Sequence, residues 1–232
     1  MIAYASAAKP YKGMGMNGAV AHWYAGLTRK CMDDFKALAR RTAGQIPAAS
    51  SVLEVAPGPG YFAIELAKLG RFQITGLDIS ETFVEIARGN AARAGVHVDF
   101  RHGNASRMPF TDDSFDFLLC RAAFKNFSEP QRALEEVHRV LKPGGQALII
   151  DLRRDASMES IKQAVAGMKV GAVNAVITRF TFRHMLLKRA YTKSEFERMI
   201  SRTRLQSEIR ENLLGLEIVL SKPAKVLAFN YF

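Results

Sequence analysis

Between residues 51 and 151, apolar runs of strand length alternate with segments whose apolar positions recur every three to four residues. The runs predict strands at 51–56, 73–77, 96–101, 115–120 and 146–151. The periodic segments predict helices near 60–69, 81–94 and 128–141. Ser80 and Ser128 suit helix N-caps, while Gly70, Gly95 and Pro143-Gly144-Gly145 suit helix stops. Such alternation is the pattern of a parallel sheet covered by helices. Upstream, residues 1–12 read as loosely structured and 17–43 as one or two helices that Pro47 stops. Their apolar positions are Val20, Trp23, Tyr24 and Leu27, then Met32, Phe35, Leu38 and Ala39. After Asp151 the rhythm changes. Residues 157–189 are helical in character, interrupted by Gly167 and Gly171. A shorter helix at 192–202 opens with Thr192 and Glu195, spaced as a capping box. Two strands, about 205–210 and 216–221, are expected to close the sheet as an antiparallel edge hairpin ending before Pro223.

Composition narrows the class. A chain of 232 residues can bury a full core. No run reaches the ~18 apolar residues of a membrane span, and no apolar stretch follows Lys9 and Lys12 as in a secretory signal. The two cysteines, Cys31 and Cys120, suit a reducing compartment, and neither has metal-ligand spacing. A cytoplasmic protein without a metal is expected. The net charge of +11 lies on the flanks. Residues 1–50 carry seven Lys and Arg against two Asp and Glu, and residues 151–210 carry thirteen against six. Residues 51–150 are near balance, with eleven against twelve. A basic flank suits an anionic substrate, nucleic acid, an acidic membrane surface or simply a solvated face.

The chemistry concentrates at the strand ends. Val52-Leu-Glu-Val-Ala-Pro-Gly-Pro-Gly60 is an apolar run that breaks into a glycine turn and opens a helix. Asp78 follows eighteen residues after Gly60, at the end of the next run. Glycine lets backbone approach a ligand, and a carboxylate at the next strand tip can take a ribose diol. The turn lacks the G-x-G-x-x-G spacing of dinucleotide enzymes. Gly103-Asn104-Ala105 follows the third strand. Phe110-Thr-Asp-Asp-Ser-Phe-Asp116 and Leu141-Lys-Pro-Gly-Gly145 come later, the second read as a structural turn into the fifth strand.

Together these motifs resemble those of the class I S-adenosylmethionine-dependent methyltransferases, most closely the quinone C-methyltransferase-like branch, over about residues 50–152. The resemblance implies a Rossmann-like, doubly wound α/β fold. Its seven-stranded, mostly parallel sheet would have the order 3-2-1-4-5-7-6. It implies one methyltransferase domain with an N-terminal helical cap (1–46), a cofactor-binding core (47–152), a helical lid (153–203) and edge strands (204–232). The implied cofactor is S-adenosyl-L-methionine. Ala56, Gly58, Pro59 and Gly60 match the turn against its methionine part. Asp78 matches the ribose-binding acid, with Ile79 near the adenine. Asn104 and Ala105 match the adenine-edge pair, and Arg121 a position beside the methionine part. Many relatives carry glycine where this chain has Ala56. An ordinary φ is expected there, with the two prolines fixing the turn.

Methyl transfer asks for alignment and exclusion of water more than for a catalytic motif. No catalytic residue is assigned. Tyr24, Phe124, Lys125, Asn126, Phe180 and Arg183 are the candidates for acceptor binding; His22, His184 and Tyr191 are further polar candidates. Phe124, Phe127 and Phe180 are expected as apolar walls, with Lys125, Arg179 or Arg183 orienting an anionic or phenolate group. On the segment 173–189, Val173, Val176, Ile177, Phe180 and Leu187 can share one face, with Arg179 and Arg183 off it. That segment reads as a packing lid, an apolar mouth, or a basic amphipathic surface for anionic lipid. The expected acceptor is a small, apolar or aromatic molecule or a lipid headgroup. The alternatives are an RNA methyltransferase using the basic flanks, a non-catalytic cofactor-binding protein and a nicotinamide dehydrogenase. Nucleic acid is not the expected partner. The chain lacks an appended RNA-binding module and an Asn/Asp-Pro-Pro-aromatic tetrad.

Overall fold

The computed structural model of the chain describes residues 11–12, 15–70, 72–167 and 172–224, with side chains from 176 onward in the last span. Helices α1 (Gly18–Thr28) and α2 (Met32–Gln45) precede the first strand. The core then alternates β1 (Ser51–Val55), α3 (Tyr61–Ala67), β2 (Gln73–Asp78), α4 (Glu81–Ala94), β3 (Asp99–His102), β4 (Phe115–Arg121), α5 (Pro130–Val140) and β5 (Leu141–Leu152). Helices α6 (Met158–Gly167), α7 (Ala172–Thr181) and α8 (Lys193–Ile200) lead to β6 (Gln206–Glu211) and β7 (Gly215–Ser221). The seven strands run in the order β3-β2-β1-β4-β5-β7-β6. The first five pair in parallel, while β7 is antiparallel to both β5 and β6. Sheet order and edge hairpin are those expected.

Strand periodicity sorts the core into two layers. Leu53 and Val55 point to one face, with Leu118, Leu134, Ile149 and Phe196. Val52 points to the other, with Phe62, Val84, Phe100, Leu119 and Leu148. Local chemistry sets several boundaries. The Ser80 side chain accepts from Phe83 N at the start of α4, and Gly95 closes that helix with φ +67°. Thr192 and Glu195 form the reciprocal capping box of α8.

Three expectations change. Glu129, not Ser128, is the N-cap of α5, because Pro130 fixes the first helical position and needs no N–H partner. The third strand starts only at Asp99. The fifth starts at Leu141, since Pro143-Gly144-Gly145 is absorbed into its beginning by a shift of register against β4 between Phe115 and Phe117. A Cβ at Gly145 would lie 2.8 Å from Lys142 O, so this close approach needs glycine. Gly171 and the Val173 side chain lie outside the described residues.

Candidate active site

At the centre of the sheet, β1 lies between β2 and β4. Chain connections leave it in opposite directions there, which opens a crevice beyond the strand C-termini. Both strands that border the crevice end in a left-handed alanine. Ala56, just past β1, has φ +56°, and Ala122, just past β4, has φ +58°. The expectation of ordinary φ at Ala56 was wrong. Its N–H still donates to Leu77 O at 2.8 Å, and the Ala122 N–H donates to Ile150 O at 2.7 Å. Each strand therefore keeps its ladder for one more residue while turning into the left-handed region. That turn costs a non-glycine residue roughly 1–2 kcal/mol, and such strain collects at functional sites.

Asp78, at the tip of β2, holds the glycine turn from the side. Its Oδ2 accepts from Gly58 N at 2.9 Å and its Oδ1 from Ser80 N at 2.9 Å. The carboxyl is 5% exposed. Burial raises its pKa, and the hydrogen bonds from Ser80 and Gly58 oppose that rise. The two turn glycines differ in what they permit. A Cβ at Gly60 would lie 2.6 Å from the Phe100 ring, so this glycine serves core packing. A Cβ at Gly58 would meet no heavy atom within 4 Å, although the turn is buried. Bare backbone at Gly58 thus faces open space next to a buried carboxylate. Below the turn, Glu54 is buried in β1 and accepts from Ala63 N at 3.1 Å. Burial pushes its pKa up to about 8.

The other positions expected on the cofactor side lie in the turn and at the ends of β2, β3 and β4. Arg121 ends β4 with its guanidinium 4.4 Å from the Phe35 ring centroid, which ties the site to α2. Ile79 is half-buried, and its carbonyl faces His102 Nε2 at 3.1 Å. Ala105 is buried. Asn104 Oδ1 accepts from Ser106 N at 2.8 Å, so its side-chain oxygen first shapes its own loop as an Asx turn. Pro59 lies buried in the turn, and its carbonyl accepts from Asn90 Nδ2 at 2.8 Å.

The acceptor-side candidates divide. Tyr24, on α1, is half-buried beside Phe83, with ring centroids 5.9 Å apart. Burial is the largest influence on its pKa and raises it. The phenol therefore stays protonated at neutral pH, as a donor rather than a proton acceptor. Asn126 is half-buried, and its carbonyl accepts from Lys12 N at 2.7 Å. Phe124 is 1% exposed and packs against Phe127, Tyr191 and Phe196, at 5.3, 5.9 and 5.0 Å between ring centroids. It is a core residue and not a pocket wall. Lys125 is also withdrawn from any acceptor. It is buried, and its Nζ donates to Asp151 Oδ1 at 2.8 Å and to Ala122 O at 2.6 Å. Phe180 is 61% exposed and Arg183 is exposed, so neither is enclosed as a pocket wall would be. His22 and His184 are exposed as well.

The sequence pattern had no signal for Tyr11. This residue pairs antiparallel with Phe127, within the segment expected to be loose. Burial raises its pKa first, and Tyr24, Arg189, Asp78 and Asp151 are close enough to act on it. Next to it, Lys12 Nζ donates to Tyr191 OH at 2.8 Å. Elsewhere, a cleft of about 440 Å³ between α2, α3 and α4 is lined by Arg29, Lys36, Tyr61 and Arg93. It includes neither Asp78 nor Gly58.

Residues 53–149 match the model of the methyltransferase domain family. That match lies in the middle of the chain, and the sheet order is that of the Rossmann-like methyltransferase fold. The chain resembles the quinone methyltransferase-like branch of such enzymes. It is 37% identical over 107 residues to a demethylmenaquinone methyltransferase of Deinococcus radiodurans, which covers 46% of this chain and 44% of the relative. It is 39% identical over 101 residues to YcgJ of Bacillus subtilis, an uncharacterized methyltransferase, covering 43% of this chain and 40% of the relative. The aligned region thus spans less than half the length of these curated relatives. A protein of Methanococcus maripaludis assigned to the S-adenosyl-L-methionine-dependent methyltransferases superposes with a TM-score of 0.74 at 21% identity, over 93% of this chain and 98% of that one. The matched domain and the fold imply S-adenosylmethionine as cofactor. The open space against Gly58 and the inward Asp78 carboxylate suit its sugar and amino-acid parts.

Proposed function

We propose that the protein transfers the methyl group of S-adenosylmethionine to a small, apolar or aromatic acceptor of quinol type. The observation that carries this reading is the pairing of the Asp78 carboxylate with bare backbone at Gly58; α1 and the Tyr11 segment are read as the cap over it. The similarity to demethylmenaquinone methyltransferases supports the acceptor class. When bound, the cofactor supplies a methyl group already activated on a sulfonium. The protein supplies position and a dry site. Asp78 has lone pairs left after its two backbone bonds and takes the ribose hydroxyls. Arg121, braced on Phe35, offers a fixed cation to the carboxylate of the methionine part. Tyr24 and Tyr11, kept protonated by burial, donate hydrogen bonds toward an acceptor oxygen. The α1 cap, fastened by Tyr61 OH to Ala25 O at 2.9 Å and by Gly18 N to Thr82 Oγ1 at 3.1 Å, excludes water.

The test is incubation with methyl-labelled cofactor and a cell extract, separated into lipid, small-molecule, RNA and protein fractions. Label in an organic-soluble or small-molecule product, lost in Asp78→Ala, is the expected result. Label confined to RNA, with steeply salt-dependent binding, overturns the acceptor class. Tight cofactor binding with no labelled product in any fraction overturns the catalytic reading.

A further inference from the structure

We infer that the outer face of the lid is a docking surface for a lipid bilayer bearing anionic headgroups. Three observations meet on one short stretch. First, Val176, Ile177, Phe180, Met185 and Leu186 are all exposed, the most exposed being Met185 at 62% and Phe180 at 61%. They lie along α7 and the π-turn Phe182–Leu186 that continues it. A cluster of large apolar side chains in water within eleven residues is the unusual feature, since single ones are ordinary on any surface. Second, the opposite side of the same stretch is anchored. Leu187 is buried with Ile161 and Val165 of α6, and Phe182 packs against that cluster. The lid already has its protein partner on the inside. Leu187 thus belongs to the inner face, contrary to the expectation that it shares a face with Phe180.

Third, the charge is of one sign. No Asp or Glu occurs from residue 160 to residue 194, whereas Lys162, Lys169, Arg179, Arg183, Lys188, Arg189 and Lys193 do. Arg183, Lys188 and Arg189 are exposed beside the apolar cluster. A protein partner for such a face would need an acidic apolar groove. A bilayer offers both properties by its nature, an acyl region for Phe180 and Met185 and phosphates for the arginines. Long cationic side chains next to such anchors reach the headgroup level while the rings enter the acyl boundary.

Binding to such a bilayer does not depend on methyl transfer. The test is flotation of the full chain with vesicles of phosphatidylcholine alone and of phosphatidylcholine mixed with phosphatidylglycerol, at low and high salt, without cofactor. The wild type is expected to float with the anionic vesicles at low salt and to leave them at high salt. Arg183→Glu with Lys188→Glu should lower partitioning by about tenfold or more. Ile177→Ser with Phe180→Ser should lower it while the salt dependence of the remainder persists. Lys36→Glu with Arg93→Glu changes the charge equally at the distant cleft and should leave partitioning unchanged. Circular dichroism of each variant separates loss of the surface from loss of the fold. Equal binding to neutral and anionic vesicles, or unchanged binding in both lid variants, overturns the inference. So does self-association of the chain without vesicles that Ile177→Ser with Phe180→Ser abolishes, because the face would then belong to a second copy.

Discussion

Lys125 and Asp151 hold each other at two points. The ammonium donates to Asp151 Oδ1 and the Lys125 backbone N–H donates to Asp151 Oδ2, both at 2.8 Å. The two side chains are 9% and 1% exposed. The pair joins the end of β5 to the loop after β4, and Lys125 Nζ also caps the carbonyl of the left-handed Ala122. The β4 loop therefore keeps its shape through a buried charge pair and not through apolar packing alone.

Removing one partner should unfold this corner. Lys125→Met leaves Asp151 buried without its counter-charge, a loss of about 3–5 kcal/mol. Urea denaturation should show a lower midpoint, whereas Lys125→Met combined with Asp151→Leu should recover part of it. An unchanged midpoint in the single variant would remove the structural role given to the pair.

Asp78→Ala should weaken S-adenosylmethionine binding at least tenfold, since hydrogen bonds to a charged acceptor contribute about 1.5–3 kcal/mol each. Asp78→Asn should fall between, because an amide oxygen still accepts from Gly58 N. Calorimetric titration with the cofactor and with its demethylated product reads both. Equal affinities across the series would remove Asp78 from the ribose.

Glu54 should make stability fall with pH. Its folded pKa of about 8 lies above the ordinary 4.5, so the folded state binds more protons than the unfolded state between those values. Stability linked to Glu54 is complete below the unfolded pKa and is lost as pH rises through the folded one. Glu54→Gln keeps an acceptor for Ala63 N and removes the charge. Melting temperatures measured from about pH 5 to 9 should decline less steeply in Glu54→Gln than in the wild type. Parallel declines would show that another group carries the slope.

The left-handed alanines offer a gain. Ala56→Gly removes about 1–2 kcal/mol of strain and adds back roughly half of it as unfolded-chain entropy. Differential scanning calorimetry should give a melting temperature a few degrees higher for Ala56→Gly, and the same for Ala122→Gly. Ala56→Val should lower it by more, because a β-branched residue does not accept φ +56°.

Removing residues 1–28 should leave the sheet folded and abolish turnover. The described residues of this segment lie outside the seven strands, yet Tyr24, Ala25 and Gly18 touch Phe83, Tyr61 and Thr82 at the starts of α3 and α4. Far-ultraviolet circular dichroism and the labelled-methyl assay read the two effects separately. Normal turnover of the truncated chain would reduce the segment to packing.

Much of this architecture could be read from the chain because its cues are local. Ser80 and Gly95 bracket α4 at Glu81–Ala94, and alternate residues of β1 divide between two cores. The methyltransferase motifs were legible for the same reason, being fixed in spacing along one stretch. The acceptor side was not. A phenylalanine after a strand looks the same whether it lines a pocket or, like Phe124, fills a core beside Phe196, seventy-two residues later. Lys125 looks available until β5 brings Asp151 to it. The turn at Ala56 misled because the preference against positive φ is local, whereas the bond from Ala56 N to Leu77 O that holds it crosses strands.

Lys12 bonds through its backbone to Asn126 O and through its ammonium to Tyr191 OH, and its carbonyl accepts from Arg189 Nη1. One residue thus ties the N-terminal segment to the loop after β4 and to the end of the lid. Three stretches far apart in the chain thus share one anchor, so a change at that anchor is felt by all three at once. Lys12→Ala should loosen them together, and hydrogen exchange should quicken at residues 124–127 and 187–191 in the same variant.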